Sequence, residues 1–351
     1  MNHRRLPFEQ WPACDQALWR ELTATGSILD GSGAFAELRA ATLQSRQAGY
    51  ANWLGWLSRT EPDALAMAPA DRVTRPRIIA WLETFSGKSP YTTLLRLDAL
   101  LSVARVAAPE RDWSWVRPLR QHCNYKARNH RSSRKAGRIP SSAELLQAGR
   151  DLAGTPPQDG SALQRARNLR DGTMLAFLAL VPIRKRAFQA LRIGQSFRVE
   201  AGTMRVVLTS ELTKTGVPWD CELPETLCIL MRDYLAHGRP VLQQQSEPVV
   251  DEGALWLADS GRPYSYHYIG IRISHLTKRH LGMAVPPHFF RDAAATTLAR
   301  LGPEAARITP ILLGHADTRT AERHYNHARM IQDNRDQIGF IQKRMAGVMD
   351  T

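Results

Sequence analysis

Apolar residues in the first third of the chain recur with the period of a helix. Tyr50, Trp53, Leu54 and Leu57 fall at i, i+3, i+4 and i+7, which places them on one face. Ile78, Trp81, Leu82 and Phe85 repeat that spacing, and Leu94, Leu97, Leu101 and Ala104 form a third stripe. Ser89-Pro90 suits the start of the third helix and Pro109 a stop after it. These stripes predict a helical domain over 31–125, with an arm or extra helix over 1–30 anchored by Trp11 and Trp19. Between Trp113 and Pro140 no apolar period is evident, and a linker is expected over 126–140. Ser141 and Glu144 have capping-box spacing, so a helix begins there, and another is expected over 163–181. The period then becomes two. Strands are predicted over 196–200, 204–209 and 217–223, joined by turns at Ala201-Gly202 and Thr213-Lys214-Thr215-Gly216. Further helices are expected to start near Glu225, Ser265, His288, Pro303 and Thr318. The fold class is thus mostly α: an N-terminal helical domain, then a mixed α+β domain over 141–325 with a small antiparallel sheet. A helical tail over 326–351 carries an apolar stripe of Ile331, Ile338, Ile341, Met345 and Val348.

Length and charge narrow this picture. The 351 residues give room for about two domains of ordinary size. Lys plus Arg number 47 against 33 Asp plus Glu, a formal charge of +14, which favours a polyanionic partner. The excess is concentrated where the expected linker lies. Residues 113–140 hold Arg117, Arg120, Lys126, Arg128, Arg131, Arg134, Lys135 and Arg138 and no acid. Arg128, Arg131, Arg134, Lys135 and Arg138 are the candidate DNA-backbone contacts of this strap. Cys14, Cys123, Cys221 and Cys228 form no CxxC pair, so neither a zinc knuckle nor a disulfide framework is expected, and a reducing cytoplasmic compartment fits. The longest apolar run, 174–183, is about half the length of a membrane span and reads as a buried helix. No signal peptide or membrane association is expected.

The last quarter carries the chemistry. His288-Phe-Phe-Arg291 is followed by Leu-Leu-Gly-His315 and then by Tyr325. His288 and Arg291 stand at i and i+3 on one helix face, and Pro286-Pro287 puts them in its first turn, where backbone N–H groups favour an anion. Alone the spacing is a weak signal; in this order with His315 and Tyr325 it is a strong one. A phosphodiester gains negative charge on its non-bridging oxygens in the transition state, and guanidinium forks are suited to hold it. A nucleophile and a proton donor for the leaving oxygen complete the requirement. Tyr325 has basic neighbours in Arg319, Arg323, His324, His327 and Arg329, which suits a hydroxyl whose ordinary pKa is about 10.

From about residue 141 onward the chain resembles a tyrosine recombinase of the phage integrase family, and the helical region before it resembles that family's core-binding domain. The active site is also related to that of type IB topoisomerases. The resemblance implies a first arginine after a buried helix. Arg184 fits, with Leu191 at the expected interval; Arg186 and Arg192 are its competitors. It implies a lysine on a β-hairpin turn, which is Lys214. By resemblance, Arg184 and Arg291 clamp the non-bridging oxygens and Lys214 protonates the leaving 5′ oxygen. His288 assists proton transfer from the tyrosine, His315 contacts the phosphate, and Tyr325 attacks to form a 3′-phosphotyrosyl link. No metal, ATP or other cofactor is implied.

The implied partners are double-stranded DNA at specific sites, held by a clamp of the two domains, and a homo-tetramer that exchanges strands through a Holliday junction. The tail would dock on a neighbouring protomer, and a directionality factor or partner recombinase would be compatible with this assembly. Three departures stand out. Ala187 occupies a position where many relatives have an acid, Asp292 one where many have histidine, and His324 rather than Tyr325 falls at the usual interval after His315. Tyr264, Tyr266 and Tyr268 are read as core or turn aromatics. Two other functions remain open: a DNA-binding relative that does not cut, and a type IB-like relaxing enzyme.

Overall fold

The computed structural model describes residues 5–26, 31–130, 139–156, 160–200, 202–214, 216–248 and 252–313. The chain divides into two compact units, Met1–Ser132 and Ser133–Thr351. The mostly helical fold with one small antiparallel sheet matches the expectation from periodicity.

The first unit is a bundle of α1 (Ala13–Thr23), α2 (Ala40–Thr60), α3 (Arg75–Glu83), α4 (Pro90–Ala107) and α5 (Arg117–Asn129). Its centre is α2, whose residues from Gly49 to Leu57 are all buried. A Cβ added at Gly49 would come 2.3 Å from the Ala99 Cβ, so glycine sets the close approach of α2 to α4. Trp53 meets Trp81 edge-on at 5.3 Å, and Trp81 donates its Nε1–H to Asn52 Oδ1 at 3.2 Å. The tryptophans thus supply apolar area while a polar tip is satisfied within the core.

The N-terminal residues are part of this bundle. Trp11, Trp19 and Leu22 of the α1 region are buried, and Asp15 and Arg72 are both 0% exposed. Arg72 Nη1 donates to Asp15 Oδ2 at 2.7 Å, and its remaining donors reach the carbonyls of Leu65 and Met67. The Tyr50 hydroxyl donates to the other Asp15 oxygen at 2.5 Å. A buried pair is tolerable only when its remaining donors and acceptors are filled in this way. The network ties α1, α2 and the segment before α3 together.

The last helix of this unit differs from the sequence expectation. Helix α5 runs through Asn129, into the stretch read as a linker from residue 126. Its inner face is Leu119, Cys123 and Ala127 at i+4 spacing, a stripe of small or weakly apolar residues among basic ones. Arg128 is exposed at its end, while Arg131, Arg134, Lys135 and Arg138 lie outside the described residues.

The second unit begins with α6 (Ser142–Gly154), where Ser141 and Glu144 form the expected capping box. Helix α7 (Ala162–Leu180) is buried from Arg170 to Ala179. A Cβ at Gly149 would lie 2.7 Å from backbone atoms of α7, so α6 and α7 meet through glycine. The one-turn helix α8 (Lys185–Gln189) leads to β1 (Phe197–Glu200), β2 (Thr203–Leu208) and β3 (Trp219–Glu222). They form an antiparallel sheet in the order β1-β2-β3. Phe197, Met204, Val206 and Leu208 turn inward. Next come α9 (Glu225–Asp233), a π-helical turn at Tyr234–Gly238, α10 (Arg239–Gln243), α11 (Tyr266–Leu281), α12 (Pro287–Arg300) and α13 (Pro303–Leu312). Phe177, Phe188, Tyr234 and Trp256 form the aromatic heart of this unit. The helix expected near Thr318 and the tail over 326–351 lie outside the described residues. No helix among the described residues is long and apolar enough to cross a membrane.

Burial, then the Asp15 carboxylate, pushes the Tyr50 hydroxyl well above its ordinary value. A raised folded-state value means that its contribution is intact below an unfolded value of about 10 and is lost as pH rises beyond that. The first unit is therefore expected to lose stability above about pH 10. Asp15→Ala, which strands the Arg72 charge, should cost about 3–5 kcal/mol in urea unfolding at neutral pH. An unchanged midpoint would mean that this network does not hold α1 in place.

Candidate active site

The site is built where the ends of α7, α12 and α13 converge. Pro286 and Pro287 start α12: Pro287 occupies the first helical turn, where its missing N–H costs nothing. Before it, Gly282 takes a left-handed φ of 72° to end α11, and Val285 N donates to Thr277 Oγ1 at 2.8 Å. Phe289, Phe290, Ala293 and Ala294 bury the inner face of α12. The helical period then leaves His288 exposed and Arg291 half-buried on the other side.

Arg291 is the structural link. Its Nη1 donates to the Pro182 carbonyl at 2.7 Å and its Nη2 to the Leu313 carbonyl at 2.6 Å. Pro182 lies between α7 and α8, two residues before Arg184; Leu313 follows α13, two residues before His315. One guanidinium therefore fastens the segments that carry two other candidate residues. Burial, followed by the nearby Arg184 charge, pushes Arg291 down to about 10, against the opposing pull of Asp292. It stays charged at neutral pH. Burial also lowers Arg184, which caps α8 in an extended conformation. Arg184 and Arg291 are thus neighbouring, partly desolvated cations, an arrangement that favours an anion.

The competitors of Arg184 are placed differently. Arg192 pairs with Glu252, Nη2 to Oε2 at 3.0 Å, and Arg186 is exposed on α8. Lys214 is exposed on the β2–β3 connection, after the buried Thr213 and before Gly216 at φ 77°. The structure thus brings Arg184 and Arg291 together, sets His288 one turn before Arg291, and carries Lys214 on the hairpin. His315 and Tyr325 lie outside the described residues.

Sequence reasoning missed two features around the site. Tyr264 is buried, as read, but Tyr266 and Tyr268 are 53% and 65% exposed. They stand in the first turn of α11, so the reading of both as core or turn aromatics is corrected. Ser265 caps that helix by accepting from Tyr268 N, a signal the sequence offered. The second is a charge cluster beneath α11. Arg170, 0% exposed, pairs with Asp171 and with Asp259 at 2.7 Å, while Asp171 also takes the Arg272 guanidinium of α11. Burial works against the Arg170 charge, but Asp171, Tyr264 and Asp259 outweigh it and keep Arg170 protonated. Among the described residues no group of three or more His, Cys, Asp or Glu could hold a metal ion.

The sequence pattern of the phage integrase family matches residues 160–331, which takes in α7 to α13 and the His288, Arg291, His315 and Tyr325 motif. The second unit therefore belongs to the phage integrase family, the tyrosine recombinases. No curated protein is significantly similar in sequence. Among solved structures, the chain resembles the XerH site-specific recombinase bound to its difH substrate in a pre-cleavage complex, at 15% identity and a TM-score of 0.53. That match covers 84% of this chain and 79% of the other. A post-cleavage complex of XerH on a palindromic difH substrate matches at 12% identity and TM-score 0.53, covering 95% and 99%. At these identities the likeness is one of fold.

Replacing the fork by a point charge tests its bridging role. Arg291→Lys leaves one of the two carbonyls without its donor, at a cost of about 1–3 kcal/mol. A lower thermal midpoint in the DNA-free protein is the expected result; an unchanged one would count against the bridge.

Proposed function

We propose that this chain is a site-specific DNA recombinase that breaks and rejoins strands through a covalent tyrosine intermediate. The observation that carries this reading is the Arg291 fork, which ties Pro182, two residues before Arg184, to Leu313, two residues before His315. Tyr325 attacks the scissile phosphorus and its oxygen forms the new P–O bond. The bond to the 5′ oxygen breaks, leaving a 3′-phosphotyrosyl link. His288 takes up the tyrosine proton, and Lys214 supplies one to the departing 5′ oxygen. Arg184 and Arg291 hold the non-bridging oxygens as their charge grows, and His315 donates to the same phosphate. A 5′ hydroxyl from a second strand reverses these steps, so the phosphodiester energy is kept in the link.

The partner is double-stranded DNA, in keeping with the charge of +14 and the acid-free stretch 113–140. The resembling XerH structures are complexes of a site-specific recombinase with its DNA substrate. Two sites brought together by a homo-tetramer would exchange strands through a Holliday junction, with the apolar tail over 326–351 docking on a neighbouring protomer. The reaction belongs to the cytoplasm, where DNA is accessible, and a directionality factor or partner recombinase is compatible with it.

The direct test is incubation with nicked suicide duplexes covering the DNA that flanks the gene. A denaturant-resistant protein–DNA adduct is expected from the wild type and not from Tyr325→Phe. An adduct that persists in Tyr325→Phe would refute the assignment of the nucleophile. Tight binding by both proteins with no adduct from either would favour a relative that binds without cutting. DNA affinity should also fall steeply with salt. Replacing Arg128, Arg131, Arg134, Lys135 and Arg138 by serine should flatten that slope by about 0.9 for each phosphate the strap no longer neutralises. An unchanged slope would remove the strap from the interface.

A further inference from the structure

Helix α8 is a single turn, yet it directly follows Arg184 and sets the direction of that residue's backbone. Backbone bonds fasten its two ends, Phe188 N to Arg184 O at 2.9 Å and Ala190 N to Arg186 O at 3.1 Å. A turn this short is not stable by itself and is held by its side chains. Its inner face is well anchored, since Ala187 and Phe188 are buried and Phe188 packs on Trp256 at 5.0 Å. Its other face rests on the start of α11. The Lys185 Nζ lies 3.7 Å from the centroid of the Tyr266 ring, and Gln189 Nε2 donates to the Tyr264 carbonyl at 2.9 Å.

The bed under Lys185 is cut to fit. Gly270 sits one turn beyond Tyr266 in α11, a position where glycine is unfavourable for the helix itself. A Cβ there would come 3.1 Å from the Lys185 Cδ and 3.4 Å from its Nζ. Glycine therefore leaves room for the lysine stem to lie along α11 with its ammonium over the ring. An ammonium within about 6 Å of an aromatic face is attracted by the ring quadrupole.

We infer that the Lys185–Tyr266 contact, seated on Gly270, is a positioning device that fixes α8 against α11 and thereby aims Arg184 at the scissile phosphate. The inference rests on the recombinase reading for the identity of that phosphate, but the contact itself does not. Arg291 pins one side of Arg184 through Pro182 O, and Lys185 pins the other. Tyr266 holds the cation through its ring face, so its hydroxyl is dispensable for this role. Neither residue need touch DNA, and their effect is exerted through Arg184.

Two measurements on the full chain test this. In the DNA-free protein, the Nε–H resonance of Arg184 should shift in Tyr266→Leu and in Lys185→Met, and should stay near its wild-type position in Tyr266→Phe. With suicide duplex at saturation, single-turnover adduct formation should slow by about tenfold in Tyr266→Leu and Lys185→Met. The double variant should be no slower than either single one, because both substitutions break the same interaction. Tyr266→Phe should restore the rate, and the Kd for DNA should change less than twofold throughout.

An Arg184 resonance indifferent to Tyr266→Leu would overturn the proposal. So would additive rate losses, or losses that appear only in Kd, since these would make Lys185 and Tyr266 independent DNA contacts. If the wild type forms no adduct on any flanking duplex, the recombinase reading fails, while the resonance measurement still decides whether the contact positions Arg184.

Discussion

The second unit depends on one guanidinium. Arg291 donates to carbonyls at the ends of two segments, Pro182 after α7 and Leu313 after α13. These carbonyls lie where regular helical hydrogen bonding has ended, and a part-buried carbonyl without a donor is costly. A lysine could reach one of them but could not span both with a planar fork. Because the guanidinium has five N–H donors, holding two carbonyls does not exhaust it. The same side chain can therefore shape the site and still face an anion within it. Burial, and after it the charge of Arg184, works against the Arg291 guanidinium and is the cost of that arrangement.

Both units use buried arginine as a fastener between elements distant in sequence. In the first, Arg72 binds Asp15 and thereby fixes the N-terminal helix. In the second, Arg170 and Arg272 share Asp171, which joins α7 to α11. Burial of such charges gives little net stability but penalises alternative arrangements, because any slip strands a charge. The proposed site, with His288 and Arg291 on α12, Arg184 before α8 and Lys214 on the β2–β3 connection, would gain from that intolerance.

Much of the fold was legible because it is written in strong residues. Tyr50, Trp53, Leu54 and Leu57 announce α2 by volume and spacing, and the β1 and β3 sequences, Phe-Arg-Val-Glu and Trp-Asp-Cys-Glu, alternate apolar and polar residues. Helix α5 was missed because its buried stripe is Leu119, Cys123 and Ala127, too weakly apolar to stand out among arginines. Tyr266 and Tyr268 were misread because aromatic character suggests a core, whereas the Ser265 cap sets both in an exposed first turn. At the site, Arg291 and His288 were legible from spacing. The carbonyl bridge was not, since nothing in a sequence says which main-chain oxygens a side chain will meet. Position 187 is a buried alanine, and Asp292 lies close enough to Arg291 to favour its charge.

On the proposed reading, Tyr325 becomes covalently joined to DNA at a phosphate held by Arg184 and Arg291. Trapped adduct can be digested with nuclease and trypsin and its modified peptide sequenced by mass spectrometry. The expected product carries a nucleotide 3′-phosphate on the tyrosine of the peptide spanning residues 324–329. A nucleotide on His324, on Tyr266 or on a serine would contradict it.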